Sequence, residues 1–182
     1  MLWFHEGRAD EFDSRQRLPS EGVVWLDLVR SGPDWREQLP PGSDLSLHAQ
    51  HDADVLNTTH PPFFNKTREY DFLVFRGYDS TSDVHHPRTR PIVFLLKDNM
   101  VVTLREQGDE NFVDLRRSWL AGDIGVPNSA ASLLHRLLDV VVDGLLGLRE
   151  PVNRLLAGWQ ERLVRSEEQT SELQLPNTIS YA

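Results

Sequence analysis

The chain contains no cysteine, which excludes a disulfide framework and thiolate chemistry and suits a reducing compartment. It lacks any excess of basic charge: 19 Lys and Arg stand against 28 Asp and Glu, a formal net charge of −9. Phosphate binding needs a concentrated basic patch, so nucleic acid is not an expected partner. An acidic surface suits the recruitment of cations instead. No apolar run reaches the roughly 20 residues that span a bilayer. The longest candidate, Leu133 to Leu148, is interrupted by His135, Arg136, Asp139 and Asp143. The N-terminus, Met1-Leu2-Trp3-Phe4-His5-Glu6, has neither a basic n-region nor a long apolar h-region, so no signal peptide is read. As given, the chain reads as soluble, and the sequons at Asn57 and Asn65 read as coincidence. Gly-x-Ser-x-Gly, a Gly-rich phosphate loop and His-Glu-x-x-His are also missing, so no constellation points to an enzyme.

What remains is ordinary for one globular domain: 182 residues, 39% hydrophobic and 26% charged. Short strands are expected at Leu2 to His5, Val23 to Val29, Phe72 to Tyr78, Pro91 to Leu96 and Met100 to Arg105, on their β-branched and aromatic content. Lys97-Asp98-Asn99 reads as a hairpin turn between the last two. Helices are expected from about Pro33 to Leu39, from a cap at Ser43 or Asp44 to Leu56, and from Asn111 to Leu120. A long helix follows a cap at Asn128 or Ser129, with Leu134, Leu138, Val141, Leu145 and Leu148 at helical spacing. Pro151 should kink or divide it, and Val152, Leu155, Leu156, Trp159 and Leu163 continue the stripe. The helix is apolar around much of its circumference, so cover is expected on more than one side.

Strands mixed with helices imply an α/β fold: an α/β/α layered domain with a central mixed sheet and a long C-terminal helix. Its division is read as an α/β domain over 1–127, the long helix over 128–164, and a tail over 165–182. The tail, beginning Arg165-Ser166-Glu167-Glu168-Gln169-Thr170, loses the apolar period. It resembles a translated library adapter and reads as a non-native or disordered end.

Histidines form one cluster of potential ligands. His48 and His51 precede Asp52, and His60, His85 and His86 follow. Imidazole with carboxylate suits zinc. No third ligand stands at fixed spacing, so the histidines read as solvent-exposed, with a soluble metal-dependent enzyme or metal-binding protein as the alternative function.

Three stretches together resemble the CorA family of magnesium, cobalt and zinc transporters. They are Trp25-Leu26-Asp27-Leu28; then Asp54-Val55-Leu56-Asn57 with Tyr70-Asp71-Phe72-Leu73-Val74-Phe75-Arg76; and finally Met100-Val101-Val102-Thr103-Leu104-Arg105-Glu106 with the helix from Leu133 to Asp143. The resemblance covers most of residues 20 to 165. It implies the cytoplasmic regulatory domain of a cell-membrane transporter, assembled as a homopentamer, whose long C-terminal helix leads to membrane helices absent from this chain. It also places regulatory divalent-ion carboxylates at Asp54, Asp139 and Asp143, with Mg2+ as the regulatory ion and Zn2+ or Co2+ as others.

Asp139 and Asp143 are four apart and share a helix face. Hard magnesium wants oxygen ligands and keeps most of its water, so one or two carboxylates from each side of an interface suffice. Without the resemblance, the same residues read as a solvated helix face with Asp139 paired to Arg136 or His135. Two departures stand out. The family's Gly-Met-Asn pore signature is missing, since the only methionines are Met1 and Met100, and Ala53 stands where the family often has Glu.

Overall fold

The structure is a computed structural model and describes residues 1–172 apart from 31 and 84, with side chains described through Arg165. Seven strands form one sheet: β1 (Leu2–His5), β2 (Arg8–Glu11), β3 (Val23–Val29), β4 (Phe63–Lys66), β5 (Asp71–Tyr78), β6 (Thr89–Lys97) and β7 (Met100–Arg105). Their spatial order is β2-β1-β3-β7-β6-β5-β4. β3 and β7 pair in parallel, with Trp25 opposite Val101, and every other pairing is antiparallel, so the sheet is mixed. β6 and β7 close on Asp98-Asn99, with Asp98 in the left-handed region at φ 52°. Such a turn matches the strands' own twist.

Alternation along the strands divides the core into two layers. Val24, Leu26, Leu28, Phe72, Val74, Val93, Leu95, Val102 and Leu104 point to one face. There they meet Trp35 of a short 3-10 helix (Pro33–Gln38) and Val55 of α1 (Ala49–Leu56). Trp25, Ile92, Phe94 and Val101 point to the other, against Trp119 of α2 (Val113–Ala121) and Leu133, Leu137 and Val141 of α3 (Ala130–Leu146). The central strands are buried on both faces, which is why they read as nearly continuous apolar runs. The α/β/α layering expected from the sequence is therefore present.

On the second face the aromatics meet edge to face: Trp25 with Phe112 at 5.6 Å, Trp25 with Trp119 at 5.8 Å and Phe4 with Trp119 at 5.0 Å. Such contacts add about 0.5–1.5 kcal/mol each beyond area burial. Gly77 of β5 lies close under α3: a Cβ there would sit 2.9 Å from Ile92 Cδ1 and 3.4 Å from Val141 Cγ1.

Several boundaries differ from expectation. Residues 43–48 form no regular element, with Asp44 in the left-handed region at φ 40°, and α1 begins only at Ala49. Leu45 is buried in the core, and the backbone is held elsewhere: Lys97 Nζ donates to Asp44 O and His48 N donates to Tyr70 Oη. The α3 stripe is centred on Leu133, Leu137 and Val141, one residue before the expected Leu134 and Leu138, which lie at its margin. The long helix is divided as Pro151 required. α3 ends at Leu146, and α4 (Arg149–Glu172) begins so that Pro151 falls in its first turn, where no backbone N–H is missed. Along α4, Leu156 and Trp159 are exposed. The tail read from Arg165 continues α4 to Glu172, and its remainder lies outside the described residues.

Candidate functional site

α1 ends at Leu56, two residues after Asp54, because Asn57 takes extended angles while its N–H still donates to Asp54 O. The chain then runs through Thr58 and Thr59 to His60, and prolines 61 and 62 keep it extended into β4. Arg76 of β5 pins this stretch: its Nη1 donates to His60 O at 3.0 Å, while Nε and Nη2 bind Thr89.

These constraints bring the His60 ring to Asp54. Nε2 of His60 lies 3.3 Å from Asp54 Oδ1, with only 13% and 16% of the two side chains exposed. The other carboxylate oxygen, Asp54 Oδ2, is buried and has no hydrogen-bond partner. On its other side the imidazole is 2.6 Å from the carbonyl oxygen of Pro61 through Nδ1. A carbonyl only accepts, so Nδ1 carries a proton and donates.

The other histidines serve different ends. His51 is buried, not exposed as the sequence suggested. It stacks on Phe72 at 4.2 Å with the planes 6° apart, and its Nδ1 lies 2.8 Å from Tyr70 Oη. The Tyr70 hydroxyl accepts from His48 N and can donate to His51 Nδ1. Burial pushes the His51 pKa down and, for the same reason, the Tyr70 pKa up. His48 faces Glu69 at 3.5 Å. His85 and His86 are exposed.

Asp139 and Asp143 occupy the solvent side of α3, where Asp139 pairs with His135 Nδ1 at 3.1 Å. Asp54 belongs to the α1 layer and Asp139 and Asp143 to the α3 layer, on opposite faces of the sheet. Within one chain they do not converge, and among the described residues no three potential ligands cluster.

Asp27, in the Trp-Leu-Asp-Leu stretch, has a structural task. Its carboxylate takes a two-pronged contact from Arg105, at 2.7 Å from Nε and 2.6 Å from Nη2, and also accepts from Thr103 Oγ1 at 2.7 Å. Trp25 Nε1 donates to the same Thr103 hydroxyl. Burial disfavours the Arg105 charge, but Asp27 and Asp109 outweigh it and raise its pKa. His60 was not singled out beside Asp54 by its sequence position, since the helix end between them removes any fixed spacing. It was named only among the scattered histidines, with no tie to Asp54.

Comparison with known proteins bears on the whole arrangement. The fold is similar to the complete CorA magnesium transporter from Methanocaldococcus jannaschii, with a TM-score of 0.67 at 12% identity over 86% of this chain and 48% of that one. It is similar to the ZntB cytoplasmic domain from Vibrio parahaemolyticus, with a TM-score of 0.65 at 18% identity over 86% and 62%. It is also similar to the full-length CmaX protein, with a TM-score of 0.55 at 19% identity over 85% and 44%. The chain thus spans about half the length of the full-length proteins it resembles. No curated protein matches it by sequence. No helix among the described residues is long and apolar enough to cross a membrane. The model of the CorA-like Mg2+ transporter protein family matches residues 20–179, nearly the whole chain, and the protein belongs to that family.

Proposed function

We propose that the chain is the ion-sensing cytoplasmic part of a divalent-cation transporter. Asp54 of one subunit and Asp139 and Asp143 of its neighbour would hold the regulatory ion, Mg2+ in the first place. Membrane attachment through helices C-terminal to α4, and assembly into a pentamer, belong to the same proposal.

The observation that carries it is Asp54 Oδ2, a buried carboxylate oxygen without a hydrogen-bond partner. Leaving such an atom unsatisfied costs about 1–3 kcal/mol, more when the group is charged. A divalent cation supplies the positive charge and open coordination positions that offset this cost. Asp139 and Asp143, one helical turn apart and exposed, repel each other by about 0.2–0.5 kcal/mol. Because the two sets lie on opposite sheet faces, a shared ion must lie between chains. Both sets offer oxygen donors of the kind magnesium prefers. Bridged subunits then sit in a closed arrangement, and emptying the bridges lets carboxylate repulsion part them. The ion shifts this balance only by its differential affinity for the two states.

An enzyme centre built on the histidines is less well supported, since His51 is committed to Tyr70 and Phe72 and His85 and His86 stand in an exposed loop. The test is transport by the intact protein, membrane helices included, in liposomes. Asp54→Ala should weaken inhibition of uptake by magnesium on the cytoplasmic side. Inhibition at the wild-type magnesium concentration would overturn the assignment.

A further inference from the structure

We propose that His60 is a second protein ligand beside Asp54, so that this seat binds a borderline divalent cation, Zn2+ or Co2+, more tightly than Mg2+, whose regulatory role then rests on its millimolar concentration. The proposal rests on the sensor reading of Asp54 and names the class of ion the seat selects.

The argument starts from the imidazole. Its Nδ1 lies 2.6 Å from Pro61 O and must donate to it. In the neutral ring the proton is then used, and Nε2 presents a bare lone pair. That lone pair faces Asp54 Oδ1 at 3.3 Å. Two acceptors thus confront each other, largely shielded from water, and Asp54 Oδ2 adds a third acceptor with no donor of its own. Either a second proton on the ring or a cation between the groups satisfies them.

The 3.3 Å separation lets both atoms bind one ion, since bonds of about 2.0–2.1 Å hold two neighbouring ligands of a tetrahedral or octahedral ion about 3.0–3.4 Å apart. The donor types then choose among ions. Magnesium has little use for nitrogen, whereas imidazole suits zinc and cobalt. The backbone that carries the ring is held independently of any ion, because Arg76 Nη1 binds the His60 carbonyl and Pro61 follows directly, and the Nδ1 contact to Pro61 O orients the ring. Two protein ligands leave coordination positions for water, or for a carboxylate of a neighbouring subunit.

The experiment uses the chain itself. Co2+ is titrated in and followed by its visible absorption. Zn2+ and Mg2+ are then measured in competition, for the wild type and for His60→Gln. The variant should weaken Co2+ and Zn2+ on the order of 10- to 100-fold, the range known for losing even an orienting partner of a metal ligand. It should leave Mg2+ within about twofold. In the wild type, zinc should move the 15N resonance of His60 Nε2 while the Nδ1–H signal persists, a readout that needs no variant. Equal affinity of both proteins for Co2+ would overturn the proposal. A His60 ring protonated at both nitrogens and unmoved by zinc would do so too, leaving an imidazolium–carboxylate pair only. Neither result touches the Asp54 sensor, which stands or falls on magnesium inhibition of transport by Asp54→Ala.

Discussion

Single side chains carry the chemistry, and burial decides what each can do. His51 illustrates this. Enclosure against Phe72 and Tyr70 lowers its folded-state pKa below the ordinary value of 6.5. The unfolded chain therefore binds a proton that the folded one refuses, and stability falls as pH drops below about 6.5. Protonation at Nδ1 would also turn the acceptor of the Tyr70 hydroxyl into a competing donor. Urea unfolding of the wild type between pH 7.5 and about 5 should show this loss, and His51→Phe should flatten it. A variant with the wild-type slope would show that other groups control the acid limb. None of this was legible in the sequence, where His48, His51 and Asp52 look like a polar cluster. The deciding neighbours, Tyr70 and Phe72, arrive from a strand about 20 residues away. Asp54 was named through the family resemblance, but its contact with His60 was not foreseen, because that contact depends on a bend after α1 and on Arg76 of β5.

Legibility in the sequence improves at the scale of elements, where local pattern and local physics coincide. β3, β5, β6 and β7 stood out because burial on both faces concentrates β-branched and aromatic residues. β2 and β4 did not: Arg8-Ala9-Asp10-Glu11 and Phe63-Phe64-Asn65-Lys66 are short edge strands with mostly exposed, charged or polar side chains. Charge is what keeps an edge from pairing with another chain, and it erases the alternation by which a strand is recognised. α3 was well signalled at its start. Ser129 Oγ accepts from Ser132 N at 3.1 Å, and Ser132 Oγ accepts from Ser129 N at 3.1 Å, a reciprocal cap. Ser129→Ala should cost about 1 kcal/mol, read as a lower urea midpoint at unchanged slope, while Ser129→Asp should keep most of it. A midpoint for Ser129→Ala equal to the wild type would show that α3 is held by Leu133, Leu137 and Val141 alone.

At the scale of the whole molecule, the sheet itself is the decisive feature. It separates Asp54 from Asp139 and Asp143, with Asp54 on one side of the chain and the pair on the other. An ion shared by the two sets joins unlike surfaces, and a contact between unlike patches repeats head to tail and can close into a ring. This gives a test that depends on geometry and not on the strength of any single site. Sedimentation of the chain should show association that increases with millimolar magnesium. Asp54→Asn and the double variant Asp139→Asn/Asp143→Asn should each abolish that increase, since each lacks one half of every junction. Mixed together they retain complementary halves. One intact Asp54 surface meets one intact Asp139/Asp143 surface, so magnesium should produce a species of two chains that neither variant forms alone, and no larger one. If the mixture stays as dissociated as its components, the two sets do not share an ion. If the double variant alone associates as the wild type does, Asp54 finds its partner on some other surface.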